Sequence, residues 1–171
     1  MEKLISLGDN TQANVYDVGN NIVRKDFRLN NQKIHQNSIG QYKKLLNKKL
    51  KFFVTVYKIE DLSIFMEKLD TKSKEIYKIK NVESIIFIWF NECLDYFLNF
   101  NTGEHQKYGN FIKNCDSDKI EEVLKFQEFI DGLKLEAKKF NLIVNDLHPN
   151  QFGLDKHGQI KMFDWYHPNY E

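Results

Sequence analysis

Of its 171 residues the chain spends only two on cysteine and two on proline, and Arg24 and Arg28 are its only arginines. Cys93 and Cys115 form neither a closely spaced metal-ligand pair nor a disulfide framework, which excludes a disulfide-stapled scaffold and a thiolate zinc site and leaves two reduced thiols. No uncharged apolar run reaches the roughly eighteen residues a membrane span needs, and the N-terminus has no signal-peptide pattern, so the expectation is a soluble, cytoplasmic protein with no membrane partner. A net charge of +1 gives no whole-molecule argument for nucleic acid. Acidic residues are missing altogether between Phe27 and Ile59. Basic charge supplied almost entirely by Lys, with abundant Asn, Ile and Phe, is the usage expected of an AT-rich genome, bacterial or viral.

What is present suffices for a packed core: 42% of residues are hydrophobic and 14% aromatic, fourteen of them Phe. The length suits one domain, or two small lobes sharing a cleft. Residues 1–27 read as three antiparallel strands. Leu4, Ile5 and Leu7 lead into Gly8-Asp9-Asn10-Thr11; Ala13, Val15, Tyr16 and Val18 run to the turn Gly19-Asn20-Asn21; Ile22, Val23 and Phe27 follow. Strand alternation puts Val23, Lys25 and Phe27 on one face, so Lys25 points among apolar neighbours while Arg24 faces water. Residues 30–49 read as a helix, with Ile34, Ile39, Tyr42, Leu45 and Leu46 apolar and Lys43, Lys44, Lys48 and Lys49 on the wet side. Residues 52–57 and 62–66 complete a five-stranded antiparallel sheet, and 70–81 is a polar linker or short helix. Two long apolar-striped helices follow at 82–100 and 116–140, the second with Asp116, Ser117 or Asp118 as N-cap and Gly132 as a place to bend. His35, His105, His157 and His167 are scattered singly, a spacing that does not build a metal site.

The most informative stretch is 142–164, LIVNDLHPNQFGLDKHGQIKMFD. Leu142-Ile143-Val144 is too short for a helix and reads as a buried strand feeding a loop at 145–151. Phe152 to Leu154 and Ile160 to Phe163 then flank Asp155-Lys156-His157-Gly158, a hairpin turn with Gly158 free to take positive φ. The hairpin returns Asp164 toward Asp146, with the amide of Gln151 nearby. Two carboxylates and an amide carbonyl are hard oxygen donors suited to Mg²⁺, and a carboxylate can also orient or deprotonate an attacking hydroxyl.

Asn145-Asp146-Leu147-His148-Pro149-Asn150-Gln151 resembles the catalytic loop of the protein kinase-like superfamily, in the form found in its aminoglycoside and small-molecule phosphotransferase branch. Met162-Phe163-Asp164-Trp165 resembles that family's metal-binding motif at a fitting distance. The resemblance implies an α+β, bilobal fold: residues 1–69 as an N-lobe of five antiparallel strands and one helix, and 70–171 as a reduced helical C-lobe. It implies ATP and Mg²⁺ as cofactors. Asp146 becomes the catalytic base or hydroxyl-orienting carboxylate, and Asp164 the main Mg²⁺ ligand. Gln151 is a second ligand where the family has Asn, and Lys25 is the amine on the ATP phosphates. Gly8, Thr11 and Val15 would belong to the nucleotide-covering hairpin, and Glu67 and Leu69 to a hinge whose backbone meets the adenine edge.

The departures are specific. Of the glycine-rich pattern Gly8 is kept, while Thr11, Gln12 and Ala13 stand where glycines are commoner. The helix at 30–49 has no acid to hold Lys25, and Gln41 is the best positional substitute. Seven residues follow Asp164, where the family has an activation segment. The expectation is a minimal kinase-like phosphotransferase acting on an unknown protein or small-molecule hydroxyl. Either the enzyme works without an ion pair between that helix and Lys25, or a partner protein completes the site. Two readings stand beside this expectation: a pseudokinase that acts as a nucleotide-binding or partner-binding regulatory protein, and an enzyme that transfers AMP. The lysines from Lys33 to Lys58 read as a solvated face.

Overall fold

Gly19, Asn20 and Asn21 take φ of 83°, 52° and 60°, and this left-handed run reverses the chain between β2 (Ala13–Gly19) and β3 (Ile22–Phe27). Asp17 Oδ1 accepts the Gly19 N–H at 3.0 Å and fixes the entry to the turn. The computed structural model describes residues 3–5, 13–28, 32–81, 120–144 and 151–166. Within them, β1 (Lys3–Ile5) pairs antiparallel with the outer side of β2. From β3 the chain passes through α1 (Gln32–Lys43), then forms the hairpin of β4 (Val56–Glu60) and β5 (Ser63–Glu67), whose turn has Asp61 at φ 47°. The resulting antiparallel sheet has the order β1-β2-β3-β5-β4, so β3 is the central strand. Then come α2 (Lys74–Asn81), α3 (Ile120–Phe140), and a separate hairpin of β6 (Phe152–Leu154) and β7 (Ile160–Met162). Among the described residues no helix is long and apolar enough to cross a membrane.

Several element boundaries differ from the sequence reading, each for a physical reason. The strand expected at 52–57 begins only at Val56, because the backbone of 51–54 bonds elsewhere. Glu136 of α3 accepts the N–H groups of Lys51 at 2.8 Å, Phe52 at 3.0 Å and Phe53 at 3.2 Å. Val54 N–H donates to Met162 O, and Met162 N–H donates to Phe52 O, both at 2.8 Å. Residues 51–54 thus clamp the β6–β7 hairpin and α3 onto the sheet. The helix expected to reach Lys49 ends at Lys43, where buried Leu45 and Asn47 at φ 57° turn the chain. Leu142 to Val144 is extended but belongs to no strand; Leu142 and Val144 are buried while Ile143 faces out. The helix expected at 82–100 lies outside the described residues.

Gly132 does not bend α3; it makes room. A Cβ placed on it would lie 1.9 Å from Cε2 of the Phe52 ring, which packs directly on the helix backbone. Gly132→Ala gains up to ~1 kcal/mol of helix propensity. It must also displace a buried ring from 51–54, and overpacking of that kind costs about 1–3 kcal/mol. The expected net result is a lower melting temperature, partly recovered when Phe52→Leu is added to the same chain; thermal denaturation of both variants checks it.

His35 on α1 is 1% exposed, and its ring stacks at 5.0 Å on Phe27. Neither ring nitrogen has a hydrogen-bond partner among the described residues. Burial lowers its pKa against the pull of the Arg28 backbone, and the Lys25 charge lowers it further. A base whose folded pKa is depressed gives stability that is present above its unfolded value, near 6.5, and is lost as pH falls below it. Unfolding by urea at pH 7.5 and 5.5 is expected to show a drop in stability on acidification that shrinks in His35→Phe.

Candidate active site

Lys25 sits at the middle of β3, the central strand, with Val15 of β2 and Ile64 of β5 as its cross-strand partners. Alternation along β3 buries Val23, Lys25 and Phe27 and leaves Arg24 and Asp26 to pair with each other on the other face, at 3.1 Å. The Lys25 side chain is only 9% exposed. A buried ammonium is stable only with a counter-charge or donor-rich surroundings. Here the rings of Phe27 and Tyr42 lie 5.1 and 5.7 Å from Nζ, and Nζ donates to Asp164 Oδ1 at 2.8 Å.

Asp164 reaches Lys25 through the contacts that hold its hairpin. β7 is bonded on one side to 52–54 and on the other to β6, and Phe163 N–H donates to Gln151 O at 2.9 Å, placing Gln151 beside the strand that leads to Asp164. The following Trp165 is fully buried, its ring 4.5 Å from Tyr42 and edge-on to Phe53 at 5.0 Å. With residues on both sides of it fixed, Asp164 has little freedom to move. Its side chain is 40% exposed, and among the described residues Oδ2 accepts no hydrogen bond.

Tyr42 is a site residue that the sequence reading treats only as an apolar member of a helix. Its hydroxyl donates to Phe163 O at 2.5 Å and lies 3.5 Å from Asp164 Oδ1. Burial, and then the charge and hydrogen bond of Asp164, hold the phenol well above its ordinary value near 10, so it stays a neutral donor. The available signal was its place beside Gln41. Gln41 itself does not meet Lys25: its Oε1 accepts from Ile143 N at 3.1 Å and Lys44 Nζ at 3.2 Å, so it ties α1 to the extended segment after α3.

The remaining expected site residues fall as follows. Val15 is half-buried and directly opposite Lys25. Glu67 is buried, its Oε2 accepting from Lys161 Nζ at 2.8 Å and Thr55 N at 3.3 Å, while its own N–H goes to Thr55 O at 2.9 Å. Asp155 Oδ2 lies 3.5 Å from the same ammonium. Burial raises the Asp155 pKa, but the Gln159 and His157 N–H groups and Lys161 outweigh it and leave the carboxyl below its ordinary value. Leu69 and the Asp70 backbone press on Gly153, where a Cβ would come within 2.9 and 2.8 Å of them, and Asp70 and Leu154 exchange backbone hydrogen bonds at 2.7 and 2.9 Å. Asp146, Gly8 and Thr11 lie outside the described residues.

A single open carboxylate suits a hard cation such as Mg²⁺ only where substrate phosphates complete the shell. One carboxylate, Asp164, is open on one oxygen, while Gln151 is buried and tied to the segment before Asp164 through its backbone carbonyl. Among the described residues no group of three His, Cys, Asp or Glu side chains forms an all-protein cage.

No protein-family model and no curated protein matches the chain. Among solved structures it is similar to the choline kinase LicA from Streptococcus pneumoniae, at 18% sequence identity and a TM-score of 0.36, over 95% of this chain and 63% of that one. The chain therefore spans less than two thirds of that kinase, and at this score the likeness adds no weight to the site's own geometry.

Proposed function

We propose that the chain is a kinase-like phosphotransferase, with residues 1–69 and 70–171 as two lobes, that moves the γ-phosphoryl group of ATP onto a hydroxyl of a protein or small molecule. The observation that supports it is the meeting of Lys25 and Asp164, 139 residues apart in sequence, at 2.8 Å. A buried amine beside a part-open carboxylate supplies one group for phosphate and one for metal. Lys25 would bind the phosphates, and Asp164 with Gln151 would hold Mg²⁺, which neutralises phosphate charge when bound. Val15 would pack on the base. Gly8 and Thr11 would cover the phosphates, and the backbone at Glu67 and Leu69 would face the adenine edge. Asp146 would take the proton as the acceptor oxygen bonds to the γ-phosphorus and the bond to the bridging oxygen breaks, releasing ADP.

A second reading, a nucleotide- or partner-binding pseudokinase, is favoured by one observation: Lys25 has Asp164 as its acidic partner and none on α1, whose sequence contains no Asp or Glu. Incubation with ATP labelled at the α or the γ position separates the readings. Transfer of γ-label that is lost in both Asp164→Ala and Asp146→Ala supports the phosphotransferase. Incorporation of α-label supports AMP transfer instead, and tight nucleotide binding without any transfer supports the pseudokinase. Absence of both binding and transfer would sink all three.

A further inference from the structure

The Lys25–Asp164 pair raises a problem of occupancy at the same site. Lys25 Nζ stands 2.8 Å from Asp164 Oδ1, and its own side chain is 9% exposed while the carboxylate is 40% exposed, so the ammonium depends on the pair more than the carboxylate does. Among the described residues the ammonium has no rival acid close by: α1 carries none, and no Asp or Glu occurs between Phe27 and Ile59. Asp26, next in sequence, is turned to the other face and paired with Arg24. Glu67 and Asp155 are taken by Lys161. Phe27 and Tyr42 flank the ammonium, and the Tyr42 hydroxyl, bonded to Phe163 O, holds the backbone of the Asp164 segment in place. A divalent cation arriving at Asp164 would therefore face a positive charge already seated on that carboxylate. The ammonium in turn could not leave without another anion, because a buried unpaired charge is costly.

We propose that Lys25 is the internal counter-ion of Asp164, so that a divalent cation enters the site only together with a polyphosphate that takes the ammonium in the carboxylate's place. The inference rests on the reading of Asp164 as a metal ligand. Metal and polyphosphate then bind with positive coupling, each relieving the cost the other meets, and the coupling is reciprocal. A glutamate on α1 would hold the lysine away from the carboxylate and abolish this dependence. The missing acid on α1 thereby becomes a device for keeping the site closed to bare metal.

Mn²⁺ binding to the full chain, followed by electron paramagnetic resonance without nucleotide, tests the proposal. Lys25→Met and Lys25→Gln are expected to bind Mn²⁺ at least tenfold more tightly than the unmodified chain. Lys25→Arg, which keeps the charge, should bind as weakly as the unmodified chain, and adding Asp164→Asn to Lys25→Met should remove the gain. Circular dichroism confirms that each variant is folded, and the Gln variant serves if the Met variant is not. The proposal is overturned if neither neutral variant gains Mn²⁺ affinity, or if the gain survives Asp164→Asn. Nucleotide-dependent Mn²⁺ binding by the unmodified chain would in that case leave the phosphotransferase reading standing. A gain in the neutral variants with no nucleotide binding by any chain upholds the counter-ion role and removes the phosphotransferase reading.

Discussion

Glu136→Ala is expected to lower the stability of the fold by about 3 kcal/mol. The carboxylate accepts three consecutive backbone N–H groups, from Lys51, Phe52 and Phe53, at 2.8, 3.0 and 3.2 Å. Phe52 and Phe53 are buried, so two of these donors lose their partner where water reaches poorly. For a chain of this size the loss corresponds to a fall in melting temperature of roughly 6–12 °C. Glu136→Gln keeps one acceptor oxygen and should fall between. Lys51→Met removes the exposed ion pair with Glu128 and the ammonium's place 5.0 Å over the Phe52 ring, and should change stability by about 1 kcal/mol. Differential scanning calorimetry of the three variants orders these effects. A Glu136→Ala chain as stable as the unmodified one would mean that residues 51–54 are held by side-chain packing alone.

Asp164→Asn is expected to reduce phosphoryl transfer on the order of 10²–10³-fold while costing the fold about 1–3 kcal/mol. The amide keeps the volume and can still accept from Lys25, but it removes the negative charge that would hold metal. The stability cost, about 1–3 kcal/mol, comes from leaving the 9% exposed Lys25 ammonium without its counter-charge, and the 40% exposure of the Asp164 side chain keeps it below what a fully buried pair would lose. Transfer rates and melting temperatures measured on the same preparations separate the two quantities. A matching collapse of both would point to a structural role.

The parts legible in the sequence were those fixed by local chemistry. The Gly19-Asn20-Asn21 turn and the turn ending at Gly158 were readable because their residues tolerate positive φ, and both take it. The burial of Lys25 followed from alternation along β3, and Asp164 was singled out by the hairpin before it. What was not legible depends on partners far along the chain. Residues 52–57 have the aromatic and β-branched character of a strand, yet the N–H groups of 51–53 are claimed by a carboxylate more than eighty residues away. Gln41 finds Ile143 across 102 residues, and no local pattern could have foretold it. Tyr42 was visible as a buried aromatic; its hydrogen bond to Phe163 O required the fold, as did the pairing of Glu67 with Lys161. Gly132 shows the limit most clearly: a glycine in a helix invites a bend, and only the Phe52 ring from a distant segment explains it.

Whether Lys25 and Asp164 form one nucleotide site can be read from the binding of a fluorescent ATP analogue with and without Mg²⁺. The unmodified chain should bind it in a Mg²⁺-dependent manner. Lys25→Met and Asp164→Asn should each weaken Mg²⁺-supported binding at least tenfold, on the order of 1.4 kcal/mol or more, and together they should cost less than the sum. Binding that ignores Mg²⁺ and survives both substitutions would contradict the assignment.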